Sequence, residues 1–364
     1  LAHRTGLSAA TVTTITGQLI KEGMVIEKAT GDSTGGRPPI MLAINPRGGF
    51  VIGIKLMEGH AVGALTDLNA TILAKDVVDL GDNNVETSVN ALVGLVNRLM
   101  QTEKLRKKQL MGVGIGLAGV VDFSNGLVKQ NPIFGWKNVA LRELMEGHLR
   151  VPVYIDNDVN TLTLGERWLE PGKPENNFIV ITLGRGIGMG IVINGQIYRG
   201  NAGGAGEFGH IMVDPKGKLC ACGRHGCLET ILSDRALIEN AQQEVSSEIA
   251  TVNDLLERLN TGDPKAAQVL TQAGAQLGYQ IANLVNLFDP KLIIISGEGI
   301  RLGNVFFSAV RKAFSEGVMP GLAEDTEIRV NSWGDDIWAL GAASLVIAEI
   351  FASPIQKEER TSIK

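Results

Sequence analysis

Two stretches of this chain repeat the same order of short apolar runs and glycine-rich turns. The first begins at Phe50 and reads FVIGIKL, AVGALTD and TILAKDVVD; the second begins at Asn177 and reads NFIVITLGRG, IGMGIVIN and GQIYRG. Apolar runs of this length, separated by glycines or by a turn such as Asn194-Gly195, are typical of strands joined in hairpins. Helical segments and further strands follow each stretch. The repetition predicts a duplicated α/β fold of two lobes with a cleft between them.

Three further segments complete the expected lobes. Apolar residues recur on one helical face of Val85–Thr102, the run KLIIISG reads as a buried strand, and Ile337–Ala352 reads as a final amphipathic helix on the first lobe. We assign residues 1–47 to a separate N-terminal domain, residues 48–160 together with 336–364 to the first lobe, and residues 161–335 to the second lobe.

The N-terminal segment reads as helices followed by a hairpin. Thr5-Gly6-Leu7 predicts a tight turn, and Ser8 predicts the N-cap of a helix. Met24–Lys28 and Ile40–Ile44 predict two strands around the turn TGDSTGGRPP. This order is typical of a winged helix-turn-helix DNA-binding domain, with a small helix-and-hairpin cap on a larger domain as the alternative. Leu1 reads as mid-helix, so we expect this domain to be N-terminally incomplete.

The helix that starts after Ser8 would enter the major groove of DNA. The side chains that it would present, on the face away from the core, are those of Ser8, Ala9, Ala10, Thr13, Thr14 and Gln18. Arg37, stiffened by Gly35-Gly36 before it and Pro38-Pro39 after it, would reach a minor groove or a phosphate. Five basic and three acidic residues give segment 1–47 a net charge of +2, whereas the whole chain carries −5. A basic end on an acidic body is a pattern of DNA-binding proteins.

The sequence also indicates the cellular compartment in which the protein works. No apolar run approaches the ~18 residues that a membrane-spanning helix needs, and no secretory signal opens the sequence. Three cysteines are too few, and odd in number, for a disulfide scaffold. We therefore expect a cytoplasmic protein that has no membrane partner.

All three cysteines of the chain, Cys220, Cys222 and Cys227, lie within eight positions, and a Glu-x-Gly-His motif ending at His210 precedes them. One imidazole and three thiolates suit tetrahedral zinc, and four protein ligands leave no open coordination position. A disulfide would leave one thiol over, and a Cys-x-Cys bridge is strained. The set predicts a structural Zn²⁺. Two alternatives stay open: His225 as the fourth ligand, and three unconnected buried cysteines.

The segment GGAGEFGHIMVDPKGKLCACGRHGCLET resembles the signature of the ROK family, which comprises repressors, open reading frames and sugar kinases. The resemblance covers nearly the whole chain. GVGIGLAGVVDFSNGLVKQNPIFGW is similar to the family's sugar-site strand and loop, VPVYIDNDVN to its Asn-Asp motif, and LVNLFDPKLIIISGEGI to its late strand and glycine turn. The resemblance implies an actin-like (ribonuclease H-like) two-lobed sugar-binding body, usually dimeric or tetrameric.

The resemblance also implies a sugar site in the cleft between the lobes. The residues that match the family's sugar contacts are Asn131, Asn157, Asp158, Glu207, His210 and Glu229. Their carboxylates and amides suit the paired hydroxyls of a pyranose. His210 would bind zinc through one ring nitrogen and the sugar through the other, so that the metal fixes the imidazole's orientation.

Sugar kinases of the family carry two phosphate loops, and this chain departs from both. The first normally reads Asp-x-Gly-Gly-Thr; here IGIKLMEGHAVG has Lys55 near the aspartate and Met57-Glu58 at the glycines. The second normally reads Leu-Gly-Thr-Gly-x-Gly; here LGRGIGMG keeps the glycines but has Arg185 at the threonine. These departures favour a sugar-responsive DNA-binding repressor that is not an enzyme and needs no ATP.

Two other classes of function stay open. One is an ATP-dependent sugar kinase in which Asp158 is the catalytic base, and the other is a sugar sensor that acts through protein partners. For the repressor, the expected partners are operator DNA of carbohydrate-use genes, a monosaccharide effector, and further copies of the chain in a homodimer or homotetramer. Xylose, glucose and N-acetylglucosamine are all compatible with the sequence.

Overall fold

The structure is a computed structural model that describes residues 1–30, 40–169, 175–331 and 336–351. It divides into two compact units, Leu1–Trp168 with Asp336–Lys364, and Leu169–Asp335. The domain limits drawn from the sequence stay predictions. Within the described ranges, no helix combines the length and the apolar character needed to cross a bilayer.

The first unit begins with the predicted order of helix, turn, helix and hairpin. Its elements are α1 (Ala2–Thr5), α2 (Ala9–Lys21), β1 (Val25–Thr30) and β2 (Ile40–Ile44). The Ser8 Oγ accepts the Thr11 N–H at 3.2 Å, which caps α2 as predicted. No side chain of α2 is fully buried, and Ile15 on its apolar face is 43% exposed.

The body of the first unit is a five-stranded sheet with a smaller sheet beside it. Its elements in chain order are β3 (Phe50–Leu56), β4 (His60–Asp67), β5 (Ile72–Asp79), α3 (Val85–Thr102), β6 (Leu110–Leu117), β7 (Val120–Asp122), β8 (Leu127–Asn131), β9 (Trp136–Val139), α4 (Leu141–Leu149), β10 (Val153–Asn157) and α5 (Asp158–Leu169). The helix predicted over Val85–Thr102 is confirmed. Its apolar face is buried through Val89, Leu92, Val96 and Leu99.

The second unit is built on another five-stranded sheet. Its elements in chain order are β11 (Phe178–Leu183), β12 (Ile187–Ile193), β13 (Gln196–Ile197), α6 (Glu229–Leu232), α7 (Asp234–Glu244), α8 (Val252–Asn260), α9 (Pro264–Phe288), β14 (Leu292–Ser296), α10 (Gly303–Gly317) and β15 (Glu327–Val330). The strand predicted in KLIIISG is confirmed as β14, and all five of its residues are buried.

The two large sheets have one topology. The strand order is β10-β6-β3-β4-β5 in the first unit and β15-β14-β11-β12-β13 in the second. In each sheet, the three strands that come first in the chain pair antiparallel. Two later strands, β6 and β10 in the first unit and β14 and β15 in the second, add in parallel at the free edge of the first strand. The duplicated α/β fold predicted from the repeated strand pattern is therefore confirmed.

The last helix, α11 (Asp336–Phe351), belongs to the first unit. It packs so closely on β3 that a Cβ at Gly53 would overlap the carbonyl oxygen of Ala339, so glycine is required there. The helix was predicted as Ile337–Ala352 and amphipathic. The amphipathic part is wrong, because Ile337 and every residue of 339–347 are buried. Ala352 lies outside the described residues.

Candidate functional site

The cysteine loop of the second unit brings four potential metal ligands together. One donor atom from each of His210, Cys220, Cys222 and Cys227 lies within 4.8 Å of the other three. The Cys222 and Cys227 sulfurs are 3.6 Å apart, and the Cys220 sulfur lies 3.5 Å from Nδ1 of His210. Zn–S bonds of 2.3 Å in a tetrahedron put sulfurs about 3.8 Å apart. The donor set and its spacing therefore fit a four-coordinate Zn²⁺ and leave no position for water.

The rival ligand, His225, points elsewhere. Its Nδ1 lies 3.0 Å from the carbonyl oxygen of Gly217, and its backbone pairs with Leu219. The backbone of Cys227 pairs with Met212, which lies two residues after His210. This second pairing draws the histidine and the cysteines together, so the geometry favours His210 over His225.

The three thiols differ in their readiness to ionise. Burial opposes ionisation of Cys222, but hydrogen bonds from Arg224 lower its pKa to about 6. Burial and the neighbouring cysteines raise the pKa of Cys227 to about 12, and burial also raises the pKa of Cys220. These directions favour the thiolate at Cys222 and the protonated thiol at the other two cysteines, which must lose protons to bind a metal. Metal binding is therefore expected to release protons and to strengthen as pH rises.

The two ring nitrogens of His210 face different groups. Nδ1 faces the cysteines, and Nε2 lies 3.9 Å from Oε2 of Glu207. Glu207 directly precedes a short 3-10 helix, Phe208–His210, and His210 ends it, so this helix fixes the spacing of the two residues. A metal on Nδ1 would leave Nε2 beside a half-exposed carboxylate. This pair offers a donor and an acceptor to a hydroxyl group.

Glu229 links the cysteine loop to the glycine-rich turn between β11 and β12. Its Oε2 accepts the Ile187 N–H at 3.3 Å, and its Oε1 lies 4.0 Å from the Cys220 sulfur. A second carboxylate also covers this turn, because a Cβ on Gly184 would overlap Oε2 of Glu298. Two acidic side chains thus lie against a loop that was expected to hold phosphate in a kinase. Sequence reasoning missed Glu298.

In the first unit, the remaining candidates lie where parallel strands end. Lys55 on β3 pairs in register with Gly116 on β6, and Asp156 on β10 pairs with the same residue. Asn157 ends β10, and Asp158 begins α5. The carboxyl ends of parallel strands form one edge of a sheet, which is a common location for ligand sites.

Asp158 has a fixed set of contacts. Its Oδ2 forms an ion pair with Nζ of Lys55, and its Oδ1 accepts the Val159 N–H at 2.9 Å. The Lys55 ammonium lies 4.2 Å from the ring centroid of Trp338 on α11. The sequence marked Lys55 as a departure from the kinase pattern, but it gave no sign of this pairing or of Trp338.

Asn131 and Asn157 hold neighbouring carbonyl groups of one loop. Asn131 Nδ2 donates to the Ala118 oxygen at 2.9 Å, and Asn157 Nδ2 donates to the Gly119 oxygen at 3.0 Å. Asn131 is buried and also accepts the Phe134 N–H, whereas Asn157 is half-buried. The fold therefore brings both amides to this edge of the sheet. Some of their hydrogen-bonding groups are already used to hold the loop.

The candidate DNA contacts on α2 are exposed. Thr13 and Thr14 each donate a hydroxyl hydrogen to the backbone four residues earlier, at 2.9 and 3.1 Å. Gln18 Nε2 donates to Glu22 at 2.9 Å, and Ser8 is occupied as the cap. Ala9 begins the helix on the same exposed surface. Arg37 lies outside the described residues.

Comparisons with known proteins agree with this architecture. The model of the ROK family matches residues 51–349. A xylose repressor of Bacillus spizizenii is 32% identical over 347 residues, which cover 95% of this chain and 90% of that protein. The DNA-binding transcriptional dual regulator NagC of Escherichia coli is 30% identical over 354 residues, which cover 95% of this chain and 87% of NagC.

Two solved structures extend the comparison to the fold. A ROK family transcriptional regulator, a homologue of the E. coli MLC protein, has a TM-score of 0.84 at 26% identity and covers 95% of this chain and 90% of its own. A ROK hexokinase from Thermus thermophilus has a TM-score of 0.72 at 27% identity, and covers 83% of this chain and 99% of its own. The first likeness confirms the expected actin-like, two-lobed fold, and the N-terminal helix-turn-helix is consistent with it.

Proposed function

Because the chain belongs to the ROK family, we propose that it is a sugar-responsive repressor of carbohydrate-use genes. The observation that carries the proposal is the N-terminal order of capped helix and hairpin on a body whose polar groups suit a sugar. The relatives that cover this N-terminal part are described as repressors or transcriptional regulators. The proposed site of action is operator DNA in the cytoplasm.

The proposed effector is a monosaccharide. Within the first unit, Asn131, Asn157 and Asp158 are the proposed hydroxyl-binding groups; within the second unit, they are Glu207, His210 and Glu229. Xylose and N-acetylglucosamine are the first candidates, because relatives are described as repressors for these two sugars. Glucose is the third. A structural Zn²⁺ on His210, Cys220, Cys222 and Cys227 is proposed to hold the loop that carries the second set.

DNA binding is proposed to use the exposed face of α2. Ser8, Ala9, Thr13, Thr14 and Gln18 on that helix, with Arg37 from the hairpin turn, are the proposed contacts. A homodimer or homotetramer would bind an operator with repeated half-sites, because the helices of a dimer reach two major grooves one helical turn apart.

Replacing single carboxylates is expected to reduce the stabilisation by sugar to about half or less while the fold survives. In a thermal-shift screen, a sugar at 100-fold its Kd stabilises the wild type by about 2.7 kcal/mol. Asp158→Ala, Glu207→Ala and Glu229→Ala each remove a charged hydrogen-bond acceptor worth ~1.5–3 kcal/mol, so the same sugar concentration should stabilise each variant by about half as much as the wild type or less.

The matched controls are Asp76→Ala in the first unit and Glu248→Ala in the second. Each removes an acidic side chain whose ion-pair partner is a surface arginine, Arg98 or Arg258 respectively, so both variants should keep the full response. A wild-type response in all three site variants would place the sugar elsewhere.

A sugar kinase is the second candidate, favoured by the hexokinase likeness and by Asp158 itself. Two contacts oppose it. Lys55, which lies near the position of the aspartate in the kinases' first phosphate loop, pairs with Asp158, and Glu298 adds negative charge against the turn at Gly184. Neither Lys55 nor Met57 could replace a Mg²⁺ ligand, and phosphoryl transfer depends on such charge neutralisation.

We therefore expect no sugar-dependent ADP release with Mg·ATP and any sugar that binds. A coupled ADP assay tests this directly. Turnover of order 1 s⁻¹ or more, which is the low end for kinases, would establish an enzyme if Asp158→Ala removed it.

A further inference from the structure

Lys55 is buried in a way that lysines seldom are. Only 8% of the residue is exposed, and it is the one lysine that is buried among the residues the structure describes. A lysine is almost never fully buried unless its charge is paired. The seven residues of β3 are all buried, so the strand itself carries this ammonium into the first unit.

Two groups stabilise the positive charge of the Lys55 ammonium. The Asp158 carboxylate forms the ion pair, and the face of the Trp338 ring lies 4.2 Å from Nζ, within range of a cation–π interaction. The side chains of Lys55 and Asp158 are 11% and 15% exposed, so solvent screens their attraction less than it would on the surface.

The ion pair leaves Asp158 able to bind further donors. A carboxylate offers about four lone-pair positions; Lys55 takes one on Oδ2, and the Val159 N–H takes one on Oδ1. The contacts with Lys55 and with the Val159 N–H together fix the orientation of the Asp158 carboxylate at the start of α5. One position on each oxygen is left for the hydroxyl groups of a neutral ligand.

We propose that Lys55 is a positioning residue of the effector site, which holds the Asp158 carboxylate in one orientation to accept sugar hydroxyls. The inference rests on the proposed function, in which Asp158 contacts the sugar. Binding to a preorganised acceptor costs less than binding to one that must first be ordered.

The test measures sugar affinity by isothermal titration calorimetry. The probe is whichever of D-xylose, D-glucose and N-acetyl-D-glucosamine binds the wild type most tightly. Lys55→Met keeps the aliphatic stem but removes the charge, and is expected to raise Kd at least tenfold, equivalent to about 1.4 kcal/mol. Lys75→Met is the matched control. It removes a half-exposed lysine of the same sheet that pairs with Asp336, and should leave Kd unchanged.

A double-mutant cycle separates positioning from a general structural role. Asp158→Asn should also raise Kd, and Lys55→Met should add little further loss in the Asp158→Asn background, because the lysine acts through that carboxylate. Lys55→Arg should recover part of the affinity, since a guanidinium can also donate to Asp158 and stack on an aromatic ring. Lys55→Gln is the second variant if Lys55→Met does not fold.

The outcomes distinguish this inference from the proposed function. If Asp158→Asn weakens sugar binding but the folded Lys55→Met or Lys55→Gln protein binds like the wild type, the positioning role is wrong and the sugar site stands. Full additivity in the cycle would also contradict it. If Asp158→Asn itself binds like the wild type, both the sugar site at Asp158 and the role of Lys55 fail.

Discussion

The Cys222→Ser protein is expected to be purified without metal and to bind sugar more than tenfold more weakly than the wild type. Serine replaces one of three thiolates in a four-ligand site that leaves no position for a substitute. Structural zinc binds zinc-finger peptides with an apparent free energy of about 10–16 kcal/mol and folds them, so loss of the ion is expected to release the loop that carries it. The loop orients His210, and Glu229 contacts its Cys220 sulfur, so the sugar response should fall with the metal.

Elemental analysis per subunit, followed by the sugar thermal-shift screen, measures both effects. The wild type should contain about one zinc per chain. His225→Ala is the matched control, because His225 contacts the Gly217 carbonyl group and not the cysteines, and it should keep the metal. A wild type that binds no metal after purification in zinc-containing buffer would overturn the metal assignment.

The second large effect is the change that sugar makes to operator affinity. Coupling between two ligands is typically worth 1–3 kcal/mol, so saturating sugar should change the operator Kd by roughly 5- to 150-fold. The N-terminal domain is physically joined to the body: the Leu68 N–H, directly after β4, donates to the Pro46 oxygen at 3.0 Å. The linking segment is in turn held to the end of α2, because Asn45 Nδ2 donates to the Gly23 oxygen at 2.6 Å. By reciprocity, operator DNA must change the sugar affinity by the same factor.

Local patterns in the sequence were sufficient to predict much of the fold. Apolar residues at a helical spacing predict Val85–Thr102, and the Asn194-Gly195 turn predicts the hairpin of β12 and β13, because both signals lie within one element or one turn. The repeated strand pattern predicts the duplication for the same reason. The amphipathic character predicted for the final helix was wrong. This helix is apolar on all sides, so its hydrophobic residues show no helical period that would distinguish a buried face from an exposed one.

The candidate site was predictable only where its residues lie close in sequence. The spacing of Cys220, Cys222 and Cys227 predicts the metal cluster, and the structure brings the same side chains together. The Lys55–Asp158 pair joins residues 103 positions apart and depends on the register of three parallel strands. The carboxylate of Glu298 against Gly184 likewise depends on how two turns of the second sheet meet, which no local pattern encodes.

Titrating operator DNA with the full chain, with and without saturating sugar, tests the central claim most directly. The DNA is a sequence selected by the protein from a random pool. The account predicts that sugar changes the operator Kd of the wild type at least fivefold. It also predicts that Asp158→Ala binds the operator but needs at least tenfold more sugar for the same change. Thr14→Glu should not bind the operator, because it places a negative charge on the exposed face of α2 that is proposed to contact DNA. Thr271→Glu is its matched control, since Thr271 bonds its own helix in the same way but lies on α9. Operator binding that saturating sugar leaves unchanged in the wild type, or that survives Thr14→Glu, would contradict the account.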